Sequence, residues 1–87
     1  MEGLQQMKQG LATMVAGGLT MLSEKDNYTT AESVRLVGFM KETFPKIIPK
    51  LPSLSRTEAL YRIEKMAKDA NYQDFQPGLT ELHSLVS

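Results

Sequence analysis

The sequence predicts an all-α protein: a small four-helix bundle-like domain with a proline-rich connector between helices 2 and 3. The first indication is a pair of helix-start signatures, Thr29–Glu32 and Ser55–Glu58, each a hydroxyl residue followed three positions later by glutamate. In such a capping box the two side chains satisfy amide groups that the first helical turn leaves unpaired. The second is apolar residues at helical spacing on both sides of the prolines. With 87 residues, the chain has room for a single domain, 1–87.

The first predicted helix runs from about Leu4 to Leu22. Its apolar residues share one face when positions are placed about 100° apart, and we expect that face to be buried. They are Leu4, Met7, Leu11, Met14, Val15 and Leu22. Gly17 and Gly18 interrupt this pattern. Because a glycine inside a helix costs roughly 1 kcal/mol relative to alanine, the helix either breaks at Ala16 or lies close to a neighbouring backbone there.

The second predicted helix starts after Thr29 and ends or kinks near Pro45, whose ring clashes with the carbonyl of the fourth residue before it. Its predicted inward residues are Val34, Leu36, Val37, Met40 and Phe44. The connector from Pro45 to Pro52 matches a basic proline-rich ligand. Its apolar residues, Ile47, Ile48 and Leu51, continue the helical spacing, so we expect a buried linker instead.

The third predicted helix follows Ser55, and Asn71 is its predicted left-handed terminator. One arc of this helix carries Ala59, Leu60, Ile63, Met66, Ala67 and Ala70. The fourth helix is expected to begin near Pro77, because proline suits the first helical position. Its predicted packing residues are Leu79, Leu82, Leu85 and Val86.

The composition argues against several function classes. The chain has no cysteine, which removes disulfides, thiolate chemistry and cysteine-containing zinc sites. His83 is the single histidine, and it has no partner at the spacing of a catalytic dyad or a metal site. We therefore expect a protein that is not an enzyme and that needs no metal or cofactor.

The longest stretch without charge, Gln9 to Ser23, is shorter than the roughly 20 apolar residues of a membrane span. Glu2 also occupies the region that is basic in a signal peptide. The sequence accordingly predicts a cytoplasmic protein without a membrane partner.

The face of the first helix opposite the predicted apolar stripe carries no charge. Solvent-facing helix surfaces usually display lysine and glutamate, so this neutral face is expected to be covered, either by its own bundle or by a second copy. The residues that we assign to self-association are Gln9, Thr13, Ala16, Gly17 and Thr20.

Two aromatic residues, Phe39 and Tyr61, fall outside the predicted core arcs. Exposed aromatic side chains are over-represented at binding hot spots. Together with Arg62 and Lys65 they form the predicted contact with another protein. The alternative is that the fourth helix or the segment from Tyr72 to Phe75 folds over them. The resulting first hypothesis is a small helical interaction or regulatory module that forms a homodimer.

The formal charge of zero hides an asymmetry. Between Arg35 and Lys68, eight basic residues face three acidic ones, which gives this segment a charge of +5. A basic segment of this kind is typical of nucleic-acid binding. The alternative hypothesis is therefore a helical nucleic-acid-binding domain that uses Lys46, Lys50, Arg56, Arg62 and Lys65. Helical charge pairs such as Glu58 with Arg62 and Glu64 with Lys68 argue against it, because they neutralise the cations.

Overall fold

The computed structural model describes residues 2–87, and it describes the side chains of residues 8–24 and 26–87. Within this range the chain forms four α-helices joined by three short 3₁₀ segments, and the prediction of a small all-α bundle is confirmed. The helices are α1 (Glu2–Ser23), α2 (Thr30–Ile47), α3 (Ser53–Ala67) and α4 (Gln76–Val86). The 3₁₀ segments are Lys25–Asn27, Ile48–Lys50 and Ala70–Phe75. None of the described helices has both the length and the apolar character needed to cross a bilayer.

The helices form two hairpins that lie side by side. α4 packs against both α2 and α3, α1 also touches both, and α2 and α3 make few direct contacts with each other. α2 and α3 therefore lie diagonally across the bundle. Along α2, Val37 meets Gly78 and Lys41 meets Glu81 of α4, so these two helices run parallel.

The core draws side chains from all four helices. Ile48 of the second 3₁₀ segment, Leu51 just after it and Phe75 at the end of the third also contribute. The buried apolar residues are Val15, Leu19, Leu22, Val37, Met40, Phe44, Ile48, Leu51, Ala59, Ile63, Met66, Phe75, Leu79 and Leu82. Burial of Ile48 and Leu51 confirms that the proline-rich connector is a buried linker. Pro45 lies inside α2, and the helix ends two residues later at Ile47, as the prediction of a stop near the proline requires.

α1 is continuous through the glycine pair. A Cβ on Gly18 would lie 3.4 Å from both the Met40 Cε and the Phe44 Cζ, so Gly18 faces α2 and a methyl group there would be at contact distance from both side chains. The buried arc of α1 differs from the predicted one. Leu19 is fully buried, whereas Met14, assigned to the core from sequence, is 46% exposed. The predicted burial of Leu4 and Met7 falls outside the described side chains.

The capping box at the start of α2 is confirmed. The Glu32 amide donates to Thr29 Oγ1 at 3.1 Å, and the Thr29 amide donates to Glu32 Oε1 at 2.9 Å. The second predicted box is wrong, because α3 begins at Ser53, two residues before the proposed cap. Pro52 is extended at ψ 150° and supplies the first acceptor of the helix, a carbonyl 2.9 Å from the Arg56 amide.

Four details of the helix faces and ends also differ from the predictions. Val34 is 48% exposed and Leu85 is 51% exposed, although both were assigned to the core. Ala70 is exposed because α3 has already ended at Ala67. Asn71 is not a left-handed terminator: no described residue has a positive φ, and the Asn71 amide instead donates to the Asp69 carboxylate at 2.9 Å. The neighbouring helices set the exposure of Val34 and Leu85, whereas the Asp69 carboxylate caps the 3₁₀ segment that follows α3.

Replacement of Gly78 by alanine is expected to destabilise the protein. A Cβ at this position would lie 2.7 Å from Val37 Cγ1, a short branched side chain that is buried and cannot swing aside. Overpacking of this kind costs about 1–3 kcal/mol, which exceeds the roughly 1 kcal/mol that alanine gains in helix propensity. Urea denaturation of Gly78→Ala measures the change in the free energy of unfolding.

Gly38→Ala is the matched control, because nothing lies within 4 Å of a Cβ there and the substitution should be neutral or stabilising. If the contact with Val37 is the cause, Gly78→Ala should cost less in a Val37→Ala background. An equal cost in both backgrounds would contradict this explanation.

The capping box should make the stability of α2 depend on pH. Hydrogen bonds from Thr29 lower the pKa of Glu32, so its contribution is present above the ordinary glutamate pKa of about 4.3 and is lost as pH falls through the lowered value. Thr29→Ala should cost about 1 kcal/mol at pH 7. Glu32→Gln should be less stable than the wild type at pH 7, and the difference should shrink towards pH 3. A difference independent of pH, measured by thermal unfolding, would contradict the role of the carboxylate.

Candidate interaction surfaces

The outer face of the α1–α2 hairpin exposes a group of large apolar side chains, which we name the hairpin surface. Its residues are the exposed Met14, Met21, Tyr28 and Phe39, together with Leu36, which is partly buried and also packs against the core. Met14 and Met21 lie two turns apart on α1, and Leu36 and Phe39 are neighbours one turn apart on α2. Met21, Tyr28 and Leu36 line a groove of about 290 Å³ between the two helices. The hairpin therefore presents a shallow apolar depression beside an exposed phenyl ring.

Two residues of opposite charge, Glu32 and Arg35, also line this groove. They are close enough that Arg35 contributes to the lowered pKa of Glu32. On α1 the stretch from Gln9 to Ser23 carries no charged residue. An apolar centre with a polar rim is the usual composition of a protein–protein interface.

The predicted partner-binding residues do not lie together. Phe39 and Tyr61 are 53% and 57% exposed, so neither α4 nor the Tyr72–Phe75 segment covers them. They belong to α2 and α3, which lie on opposite sides of the bundle, and the structure does not join them into one surface. Lys65 Nζ lies 5.4 Å from the centre of the Tyr61 ring, a cation–π contact. Arg62 turns the other way and its Nη2 donates to Thr20 Oγ1 at 3.3 Å.

The neutral face predicted for self-association borders α3. Its residues Gln9, Thr13, Ala16, Gly17 and Thr20 are all exposed. Thr13 and Ala16 line one wall of a groove of about 250 Å³, whose other wall is α3. Because Arg62 of α3 also reaches Thr20, this side of α1 is partly occupied within the chain. Gly17 lies at the opposite edge of the face, and a Cβ there would meet nothing within 4 Å.

The basic residues divide into paired and unpaired groups. Lys41 lies 3.2 Å from Glu81, and Lys68 lies 2.9 Å from Glu64. The predicted Glu64–Lys68 pair of α3 forms. Arg62 instead contacts Thr20, and Lys65 contacts the Tyr61 ring. Lys46, Lys50 and Arg56 are exposed around the connector, and no carboxylate in the described part of the chain lies within 4.0 Å of them. These three cations form an uncompensated basic group at one end of the molecule.

Sequence reasoning missed three of the five residues of the hairpin surface. It placed Met14 in the core and gave no role to Met21 or Tyr28, whereas Leu36 is partly buried against the core as predicted. One signal was available, because seven residues separate Met14 from Met21 and the two side chains must share a face. The orientation of that face depends on where α2 lies, and the sequence does not reveal it.

Comparison with known proteins found no match: no family model fits the chain, and no curated protein or solved structure is significantly similar to it. A function has to be argued from the chain's own surfaces. The described His, Asp and Glu side chains contain no group of three that could hold a metal ion. The hairpin surface and the basic group around the connector are the two features that remain.

Proposed function

We propose that this chain is a small, non-enzymatic helical interaction module that self-associates through the hairpin surface. The observation that carries the proposal is the exposure of Met14, Met21, Tyr28 and Phe39 on the α1–α2 hairpin, each between 36% and 53% exposed. Methionine is flexible and polarisable, which suits a surface that must adapt to a partner. A cytoplasmic location belongs to the same proposal and is supported by the absence of cysteine.

The apolar area of the hairpin surface matches the needs of a dimer. Taking roughly 200 Å² for a large side chain, the four partly exposed residues present about 350 Å² of surface. A standard interface buries about 800 Å² on each partner, and slightly more than half of it is apolar. The hairpin surface therefore supplies most of the apolar share, and the surrounding polar residues and backbone can supply the remainder.

A second copy of the chain suits this surface electrostatically. The formal net charge is zero, so two copies do not repel each other over long range. The rim carries Glu32 and Arg35, which have opposite signs. In a twofold dimer each contact occurs twice, so Arg35 of one copy can face Glu32 of the other on both sides of the axis.

Substitution of the exposed ring tests the proposal. The wild-type protein should show a concentration-dependent monomer–dimer equilibrium in analytical ultracentrifugation. Phe39→Ser removes the most exposed apolar group of the hairpin surface, and we expect the dimer Kd to rise about tenfold or more. The fold should survive, because Phe39 is 53% exposed and belongs neither to the buried core nor to the residues packed against it.

Leu54→Ser is the matched control, because Leu54 is 86% exposed on α3 and lies outside the hairpin surface. Its Kd should equal that of the wild type. A protein that stays monomeric at concentrations on the order of 1 mM, or a dimer equally weakened by both substitutions, would overturn the proposal.

The uncompensated basic group supports a second candidate function, nucleic-acid binding. We propose Lys46, Lys50 and Arg56 as its phosphate contacts, since no carboxylate neutralises them. Arg62 and Lys65, included in the sequence-based set, already contact Thr20 and Tyr61. They would have to leave these partners before they could bind phosphate.

Replacement of Lys46, Lys50 and Arg56 by glutamine should abolish any binding to a short duplex DNA or single-stranded RNA in a fluorescence-anisotropy titration. Binding that depends on these cations should weaken by about 20- to 40-fold between 50 and 200 mM salt, because only three phosphates are neutralised. Lys8→Gln, Lys41→Gln and Lys68→Gln together remove the same charge elsewhere and should retain binding. Wild-type protein that binds neither probe at low salt would exclude this candidate.

A further inference from the structure

Two glycines of α1 have no explanation within the chain. Glycine is the least favourable helix-interior residue after proline, and it persists where a neighbour comes close. Gly18 has such a neighbour in α2. Gly10 and Gly17 are exposed, and a Cβ on either would meet nothing within 4 Å. Both positions have room for a Cβ, so the absence of a side chain makes no room for a neighbour within the chain.

The same two glycines belong to a seven-residue period. Glycine occurs at positions 3, 10 and 17, and methionine at positions 7, 14 and 21. The described members of this period, Gly10, Met14, Gly17 and Met21, all lie on the exposed side of one continuous helix. A seven-residue period returns to nearly the same face every two turns, and it is the pattern of a helix that packs lengthwise against another helix.

The spacing within the period makes this face complementary to itself. Four residues separate Gly10 from Met14, three separate Met14 from Gly17, and four separate Gly17 from Met21. The four positions are therefore symmetric about the point between Val15 and Ala16. Gly10 and Met21 are equally far from that point, and so are Met14 and Gly17. If a twofold axis passes that point, two antiparallel copies place each methionine opposite a glycine of the other helix.

We propose that α1 pairs with α1 of a second copy in antiparallel orientation, so that Met14 and Met21 of each copy rest on Gly17 and Gly10 of the other. Each methionine then fills the hollow that a glycine leaves, as a knob fills a hole. A parallel pair in register would instead put glycine against glycine and methionine against methionine, leaving gaps between crowded contacts. The uncharged stretch from Gln9 to Ser23 allows the helices to approach without burying a charge.

This pairing rests on the self-association proposed above and specifies its geometry. It uses Met14 and Met21 of the hairpin surface as the centre of the contact and leaves Phe39 on α2 at its flank. The groove between α1 and α3 remains free, so the contact lies towards α2 rather than on the neutral face assigned from sequence. Gly17 is common to both assignments.

Disulfide mapping tests the register. The chain has no cysteine of its own, so single substitutions give unique thiols. When Gly10→Cys and Met21→Cys proteins are mixed and oxidised gently, the mixed disulfide should be the main product by mass spectrometry. In the antiparallel pair, two copies of position 10 are separated by eleven residues of helix, about 16 Å, which no disulfide spans. Predominance of the two symmetric disulfides would overturn the antiparallel register.

Substitution of the two glycines is a second test, because it should stabilise the monomer and weaken the dimer. The double substitution Gly10→Gln and Gly17→Gln should leave the helical fold intact and raise its thermal stability at low concentration, because glutamine is a far better helix former. The same change should raise the dimer Kd roughly tenfold or more, because the hollows are filled. Gly38→Gln also fills an open helical glycine, but on α2 outside the contact, and should leave the Kd unchanged.

The outcomes separate this inference from the proposed function. A dimer that is weakened by Phe39→Ser, yet is indifferent to the two glycine substitutions and forms no mixed disulfide, would overturn the α1 pairing and leave self-association through the hairpin surface standing. A protein that is monomeric throughout would overturn both. A mixed disulfide together with a glycine-sensitive Kd is the result that we expect.

Discussion

The close approach of α2 to its two neighbours is the constraint on which the rest of the structure depends. Gly18 admits Met40 and Phe44 against the backbone of α1, and Gly78 of α4 lies directly beneath Val37. The inner face of α2 is thereby held between two helices and becomes the centre of the core. Its opposite face cannot be buried by the same chain, which leaves Phe39 exposed.

The same constraint decides which side of α1 faces outward. Because Gly18 must face α2, the buried arc runs through Val15, Leu19 and Leu22. The methionines at positions 14 and 21 then fall on the outer side of the hairpin, next to the exposed side of α2. The hairpin surface is thus a consequence of helix packing and not of an unusual local sequence.

Small size makes this exposed apolar surface informative. A chain of 87 residues buries a modest fraction of its surface on folding, and each apolar side chain left in water is a lost contribution to stability. Open glycines in α1 add a further loss in helix propensity. A second copy that covers the methionines and occupies the hollows would recover both losses, which is the physical basis of the self-association that we propose.

The sequence by itself determined the features that depend on neighbouring residues along the chain. It located four helices, the capping box between Thr29 and Glu32, the helix start near Pro77 and the buried linker after Pro45, because capping, proline geometry and helical periodicity are local properties. It also recognised that Phe39 and Tyr61 would lie outside the core. Its error at Ser55 arose because Pro52 starts α3 earlier than the second signature suggests.

Only the tertiary structure decided how the helices are turned and which surfaces lie together. Helical periodicity locates the apolar face of a helix only to within about one residue around its circumference. The position of α2 was needed to decide that Leu19 is buried and Met14 is exposed. The diagonal placement of α2 and α3 separates Phe39 from Tyr61, and no local pattern encodes it. The physical reason is that burial depends on contacts between residues far apart in the chain, whereas a helix forms from residues three and four positions apart.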